Sequence, residues 1–175
     1  EQATWIVDRT LMRYHQELGQ MPQRVVVHKS SRFWPAELEG FKTALQARSI
    51  RYDLVALNTD SSFRLFPVNR YPPLRGTRFT IGDLDYVYTT GFLADTQQFH
   101  ANHVPTPIRL ADHIGRDTSR EALLREILIL SKMNWNSSLL GGLMPVTLNF
   151  ARRVGEILRE IPSDREPLTN FKFYI

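Results

Sequence analysis

Lys132, Asn134, Asn136, Ser137 and Ser138 crowd around Trp135 in SKMNWNSS, and Arg152 and Arg153 follow in the next helical stretch, NFARRVGEIL. Side-chain amides, hydroxyls and fixed positive charge in one place suit an anion. Lys and Arg neutralise a phosphate while Asn and Ser donate hydrogen bonds to its oxygens. A second cluster, His28, Lys29, Ser30, Ser31 and Arg32, directly follows the apolar run RVVV. It falls at the carboxyl end of an expected strand, where open α/β sheets place their ligands. A solvated loop explains either cluster alone; two are harder to dismiss.

Other chemistries find less support. The chain has no cysteine, which removes disulfides, thiolate catalysis and Cys-ligated zinc together and fits a reducing cytosol. There is no G-x-S-x-G elbow for a serine nucleophile and no G-x-x-x-x-G-K-[ST] phosphate loop; Gly141 and Gly142 fit a flexible connection instead. His100 and His103 stand three apart in an expected loop without an H-E-x-x-H context, so a solvated loop accounts for them better than zinc does. The 18 acidic residues are scattered; a two-metal nuclease would need several at strand ends, with Asp53, Asp60 and Asp95 as candidates.

The elements expected to position these residues alternate. Apolar residues at Ile6, Val7, Leu11, Tyr14 and Leu18 keep a helical period over 4–18, and Gly19 sits where a helix stops. RVVV (24–27) reads as a strand buried on both faces, Pro35 as the first position of a helix, and YDLVALN (52–58) as a second strand. SFRLFPV, GTRFTIG and DYVYTTGF carry strand-like aromatic and β-branched composition, and the prolines of VPTPIRLAD (104–112) favour an extended edge segment. A helix over 118–133, capped by Thr118 or Ser119 and lined by Leu123, Ile127 and Leu130, precedes a last helix over about 147–160.

This rhythm makes a layered α/β domain, and 175 residues suffice for one domain with a core of its own. No apolar run reaches the length of a membrane span, and no signal-peptide pattern opens the chain, so no membrane partner is expected. Net charge of +4 has the sign of a nucleic-acid binder, although a mildly basic enzyme would carry it equally well. Glu1 in place of an initiating Met suggests a chain that begins inside a longer protein.

RVVVHKSSRFWPAELEGF, RGTRFTIG, LSKMNWNSSLLGGLMPVTLNFARRVGEIL and the terminal FKFYI, in that order and spacing, resemble the last part of the PIWI domain of prokaryotic Argonaute proteins, over most of the chain. The resemblance implies an RNase H-like fold, a mixed sheet flanked by helices. It also implies that 1–175 is the C-terminal portion of a PIWI domain, with the opening strands and a MID domain outside this chain. Two positions of the family's metal-binding acidic tetrad should fall here, one after VVVH and one after NFA. They are Lys29 and Arg152. Cations cannot ligate Mg²⁺ and repel it at close range, so guided binding without cleavage is the expectation.

By the same resemblance Lys29, Arg32, Lys132, Asn134, Asn136, Asn149, Arg152 and Arg153 would hold guide phosphates. The carboxylate of Ile175, with a structural Mg²⁺, would meet the guide 5′ phosphate. Trp135 is then core packing rather than base stacking. The implied partners are a guide RNA or DNA, a complementary target, and the rest of the Argonaute, with a TIR or sirtuin-like effector subunit in some relatives. The implied setting is cytoplasmic prokaryotic defence. Two readings stay open: an active Mg²⁺-dependent nuclease whose acids lie elsewhere, and a protein-interaction module that has lost nucleic acid.

Overall fold

The computed structural model describes residues 1–68, 72–93, 104–133, 142–162, 164–168, 170 and 173. Helix α1 (Gln2–Leu18), strand β1 (Arg24–Lys29), helix α2 (Pro35–Gln46) and strand β2 (Arg51–Thr59) open the chain. Then follow β3 (Arg78–Ile81), β4 (Leu84–Val87), β5 (Ile108–Ile114), α3 (Arg120–Lys132) and α4 (Val146–Glu160). The strands form one five-stranded sheet in the order β1-β2-β5-β4-β3, with β1 and β2 parallel and β3 and β4 antiparallel. Parallel neighbours joined through a helix, beside an antiparallel hairpin, make this a mixed α/β sheet.

Two compact units divide the residues: 1–58 with 110–122, and 59–109 with 123–175. In the first, α1 ends at Gly19, whose left-handed φ of 70° lets its N–H reach the His15 carbonyl at 2.8 Å. Pro35 occupies the first turn of α2, where a missing N–H costs nothing. The two helices pack closely at Gly40, where an added Cβ would come within 3.0 Å of Ala3, and Thr4 Oγ1 donates to the Gly40 carbonyl at 3.2 Å. Val7, Leu11, Phe33, Ala44, Leu45, Ile50, Leu54 and Ala56 form the core of this unit.

In the second unit an aromatic stack joins buried aliphatic residues, Val87, Ile108, Leu123, Leu124 and Ile127 among them. Phe79 lies parallel to Tyr86 at 4.9 Å between ring centroids, and Phe63 meets Tyr86 edge-on at 5.7 Å. Leu123, Leu124, Ile127 and Ser131 are the buried face of α3, whereas α4 buries no residue completely.

Three expectations are corrected. RVVV is not buried on both faces: β1 runs to Lys29, lies at the sheet's edge, and all six of its residues are half-buried. Pro105 and Pro107 do not make an edge segment. They precede β5, which runs between β2 and β4 with Ile108 and Leu110 fully buried, because the prolines stay out of the ladder. SFRLFPV forms no strand; Phe63 meets Tyr86 edge-on and the Leu65 N–H donates to the Tyr88 hydroxyl at 2.9 Å, while Phe66 is exposed. No described helix is long and apolar enough to cross a membrane.

Candidate nucleic-acid interface

The expected phosphate contacts fall into both units. In the first, β1 ends at Lys29 and the chain runs through Arg32 to Pro35. Lys29 is not a free cation: its ammonium pairs with the Glu37 carboxylate and stands 5.6 Å from the centre of the Phe33 ring. Glu37 Oε2 also accepts the Trp34 N–H at 3.0 Å, closing half of a capping box at the start of α2; the indole of Trp34 has no acceptor to complete it. The hydrogen bond from Lys29, then that from Trp34, hold the Glu37 carboxyl below the ordinary range. Arg32 is exposed and lays its guanidinium 3.9 Å over the Trp34 ring, which is itself 52% exposed. A flat cation on an exposed indole is a surface on which a sugar or base can stack.

In the second unit, Asn149, Arg152 and Arg153 share one face of α4, as spacings of three and four require. With Ser131, Met133, Gly142, Val146 and Phe150 they line a cavity of about 140 Å³. The Gly142 N–H donates to the Ser131 carbonyl at 2.9 Å, and Asn149 Nδ2 donates to the Met144 carbonyl at 3.0 Å. Asn149 therefore braces the turn into α4 with one of its donors. Both arginines are exposed, and among the described residues Arg152 forms only a solvent-facing pair with Glu156, 3.5 Å away. Lys132 is exposed in the last turn of α3, a position that a helix dipole favours for any cation. Asn134, Trp135, Asn136, Ser137, Ser138, His100, His103 and Ile175 lie outside the described residues.

Sequence reasoning missed the most elaborate polar site. Asp53 on β2 is 1% exposed and takes three donors: Arg24 Nε at 2.8 Å and Thr118 Oγ1 at 2.7 Å on Oδ2, with His113 Nε2 at 2.8 Å from Oδ1. Burial alone would raise this carboxyl, but hydrogen bonds from Thr118, His113 and Arg24, and the Arg24 charge, outweigh it and hold it below the ordinary range. Gly115 is required beside it, since a Cβ there would lie 2.2 Å from Asp53 Oδ1. Ser119, not Thr118, caps α3 by accepting the Ala122 N–H at 3.2 Å. Asp60, the second acid considered for metal, accepts the Ser62 N–H at 2.9 Å and lies 3.5 Å from Arg109; the Ser62 bond is the largest cause of its lowered carboxyl. Asp95 lies outside the described residues.

Both described acids are thus committed to protein donors, and no group of three metal-capable side chains exists among the described residues. An ammonium or guanidinium has no lone pair to give a metal, so Lys29 and Arg152, where the family resemblance expects acids, do not suit a Mg²⁺ ion.

The mixed sheet flanked by helices is the RNase H-like architecture of a PIWI domain. No family model matches the chain. It is 27% identical to the protein argonaute of Thermus thermophilus over 183 residues, covering 96% of this chain and 24% of that protein. It is 30% identical to the Piwi protein of Archaeoglobus fulgidus over 131 residues, 69% of this chain and 30% of that protein. A crystal structure of Aa-Ago with externally bound siRNA shares the fold, with a TM-score of 0.68 at 19% identity, over 95% of this chain and 22% of that one. The chain belongs with the Argonaute and Piwi proteins, in the region of their PIWI domain, and it spans about a quarter to a third of the length of the curated relatives it matches.

Proposed function

We propose that this PIWI segment holds the sugar-phosphate backbone of a guide strand and does not cut the paired target. One observation carries the reading: the two positions where the family resemblance expects metal-binding acids hold basic side chains, Lys29 and Arg152. Of the two, Arg152 is the better phosphate contact. It stands exposed beside Arg153 and Asn149 on one helix face, whereas Lys29 is already neutralised by Glu37.

The full proposal has the chain act as the C-terminal part of a PIWI domain in a longer Argonaute, beside a MID domain. There a guide RNA or DNA pairs with a complementary target. The Ile175 carboxylate and a Mg²⁺ ion would serve the guide 5′ phosphate, and binding would signal to an effector enzyme in cytoplasmic defence. The test uses the intact protein and measures the affinity of a 5′-phosphorylated guide across a salt series. Arg152→Glu, Arg153→Glu and Lys132→Glu should weaken binding, each lost phosphate contact lowering the salt slope by about 1. Unaltered affinity and slope in all three would overturn the proposal.

A further inference from the structure

We infer that the first unit carries a second anion site, unrelated to the proposed guide contacts: the cleft lined by Lys42, Arg51, His113 and Arg116 takes a phosphate-bearing ligand of about nucleotide size. The cleft measures about 680 Å³, within the range of small-molecule sites. It lies at the opposite end of the β1–β2 pair from Lys29. Arg51 pairs with Arg24 at the start of the register and Lys29 with Ala56 at its end, about 17 Å along the strand at 3.3 Å per residue.

Its walls are built rather than incidental. Ser49 adopts a left-handed φ of 53°, alone in this among the described non-glycine residues, and that turn carries the chain from α2 into β2 so that Ser49, Arg51 and Tyr52 all reach the cleft. Such a conformation is uncommon outside glycine and tends to mark functional turns. On the facing wall His113 is fixed through Nε2 by Asp53, and the bare Gly115 backbone packs against that pair, where a Cβ would come within 2.2 Å of Asp53 Oδ1 and 2.9 Å of His113 Nε2.

Charge decides the ligand class. The C-terminal end of α2 presents carbonyl dipoles that oppose an anion, and Asp117 adds one carboxylate. Against them stand Lys42, Arg51 and Arg116. Lys42 shares its charge with Glu39 at 3.3 Å, but the guanidiniums of Arg51 and Arg116 have neither a hydrogen bond nor an ion pair among the described residues. Two uncommitted guanidiniums on one polar cleft match the paired oxygens of a phosphate. Tyr52, whose hydroxyl accepts from Gln46 Nε2 at 3.2 Å, offers an aromatic surface next to them.

The test titrates the intact protein with inorganic phosphate, with AMP, and with a short thymidine oligonucleotide lacking terminal phosphate, by calorimetry. AMP should bind more tightly than phosphate alone, and Arg51→Glu with Arg116→Glu should weaken the best probe by about tenfold or more. Arg152→Glu with Arg153→Glu should leave AMP binding at the cleft unchanged, which separates this site from the guide proposal. If charge reversal unfolds the protein, Arg51→Gln with Arg116→Gln gives the same comparison with a smaller loss. AMP or the oligonucleotide winning, with binding lost in the Arg51 and Arg116 variant, supports the site and tells a free nucleotide from a polynucleotide backbone. Absence of binding by all three probes, or equal binding by the variant, overturns it.

Discussion

Lys29 and Glu37 neutralise one another across the loop from β1 to α2, and the same carboxylate oxygen receives the Trp34 N–H at 3.0 Å. The cation at position 29 therefore serves the start of a helix before it serves any ligand. Glu37→Gln should release the Lys29 charge: nucleic-acid affinity rises at low salt and the salt slope steepens by about 1. Lys29→Glu should act oppositely and also weaken the helix start. Anisotropy titrations over a salt series, with helix content followed by circular dichroism, separate the two effects.

Asp53 makes the largest stability prediction. Asp53→Ala leaves Arg24 and His113 without their buried partner and should cost about 3–5 kcal/mol, read from urea unfolding. Gly115→Ala pushes a methyl group onto Asp53 Oδ1 and should cost about 1–3 kcal/mol.

The pH dependence follows from the same carboxyls. Asp53, Asp60 and Glu37 are all lower in the folded chain than ordinary carboxylates. Their stabilisation is complete above the unfolded values, about 4, and drains away as pH falls through the lower folded values. Unfolding midpoints measured from pH 6 down to pH 2 should drop below about pH 4, and Asp53→Asn should flatten that drop.

Mg²⁺ should not convert binding into cleavage. With guide and target bound to the intact protein, Mg²⁺ titration should leave the target whole. Guided cleavage would favour the active-nuclease reading.

Local signals placed the helix ends and one buried helix face well. Gly19 stops α1, Pro35 starts α2, and the period of Leu123 and Ile127 shows the buried face of α3, because each rests on neighbours in sequence. Composition misled where aromatics were wanted for packing: Phe63 and Phe66 suggest a strand, yet Phe63 only edges onto Tyr86. The Asp53 site was invisible for a related reason. Its members, Arg24, Asp53, His113 and Thr118, are spread along the chain, and no spacing announces them. Ser131 could have been found, since it is a polar residue four positions after Ile127 on the buried face of α3.

The first unit is closed by residues 110–122, and Asp53 waits 60 residues for His113 and 65 for Thr118. During synthesis Asp53 therefore has Arg24 already made but lacks His113 and Thr118 until the whole of 59–109 has emerged. Long-range closure of this kind is slow. A ribosome paused between Asp53 and His113 would hold a half-finished unit whose central acid lacks two of its three donors, the moment at which a chaperone has most to do.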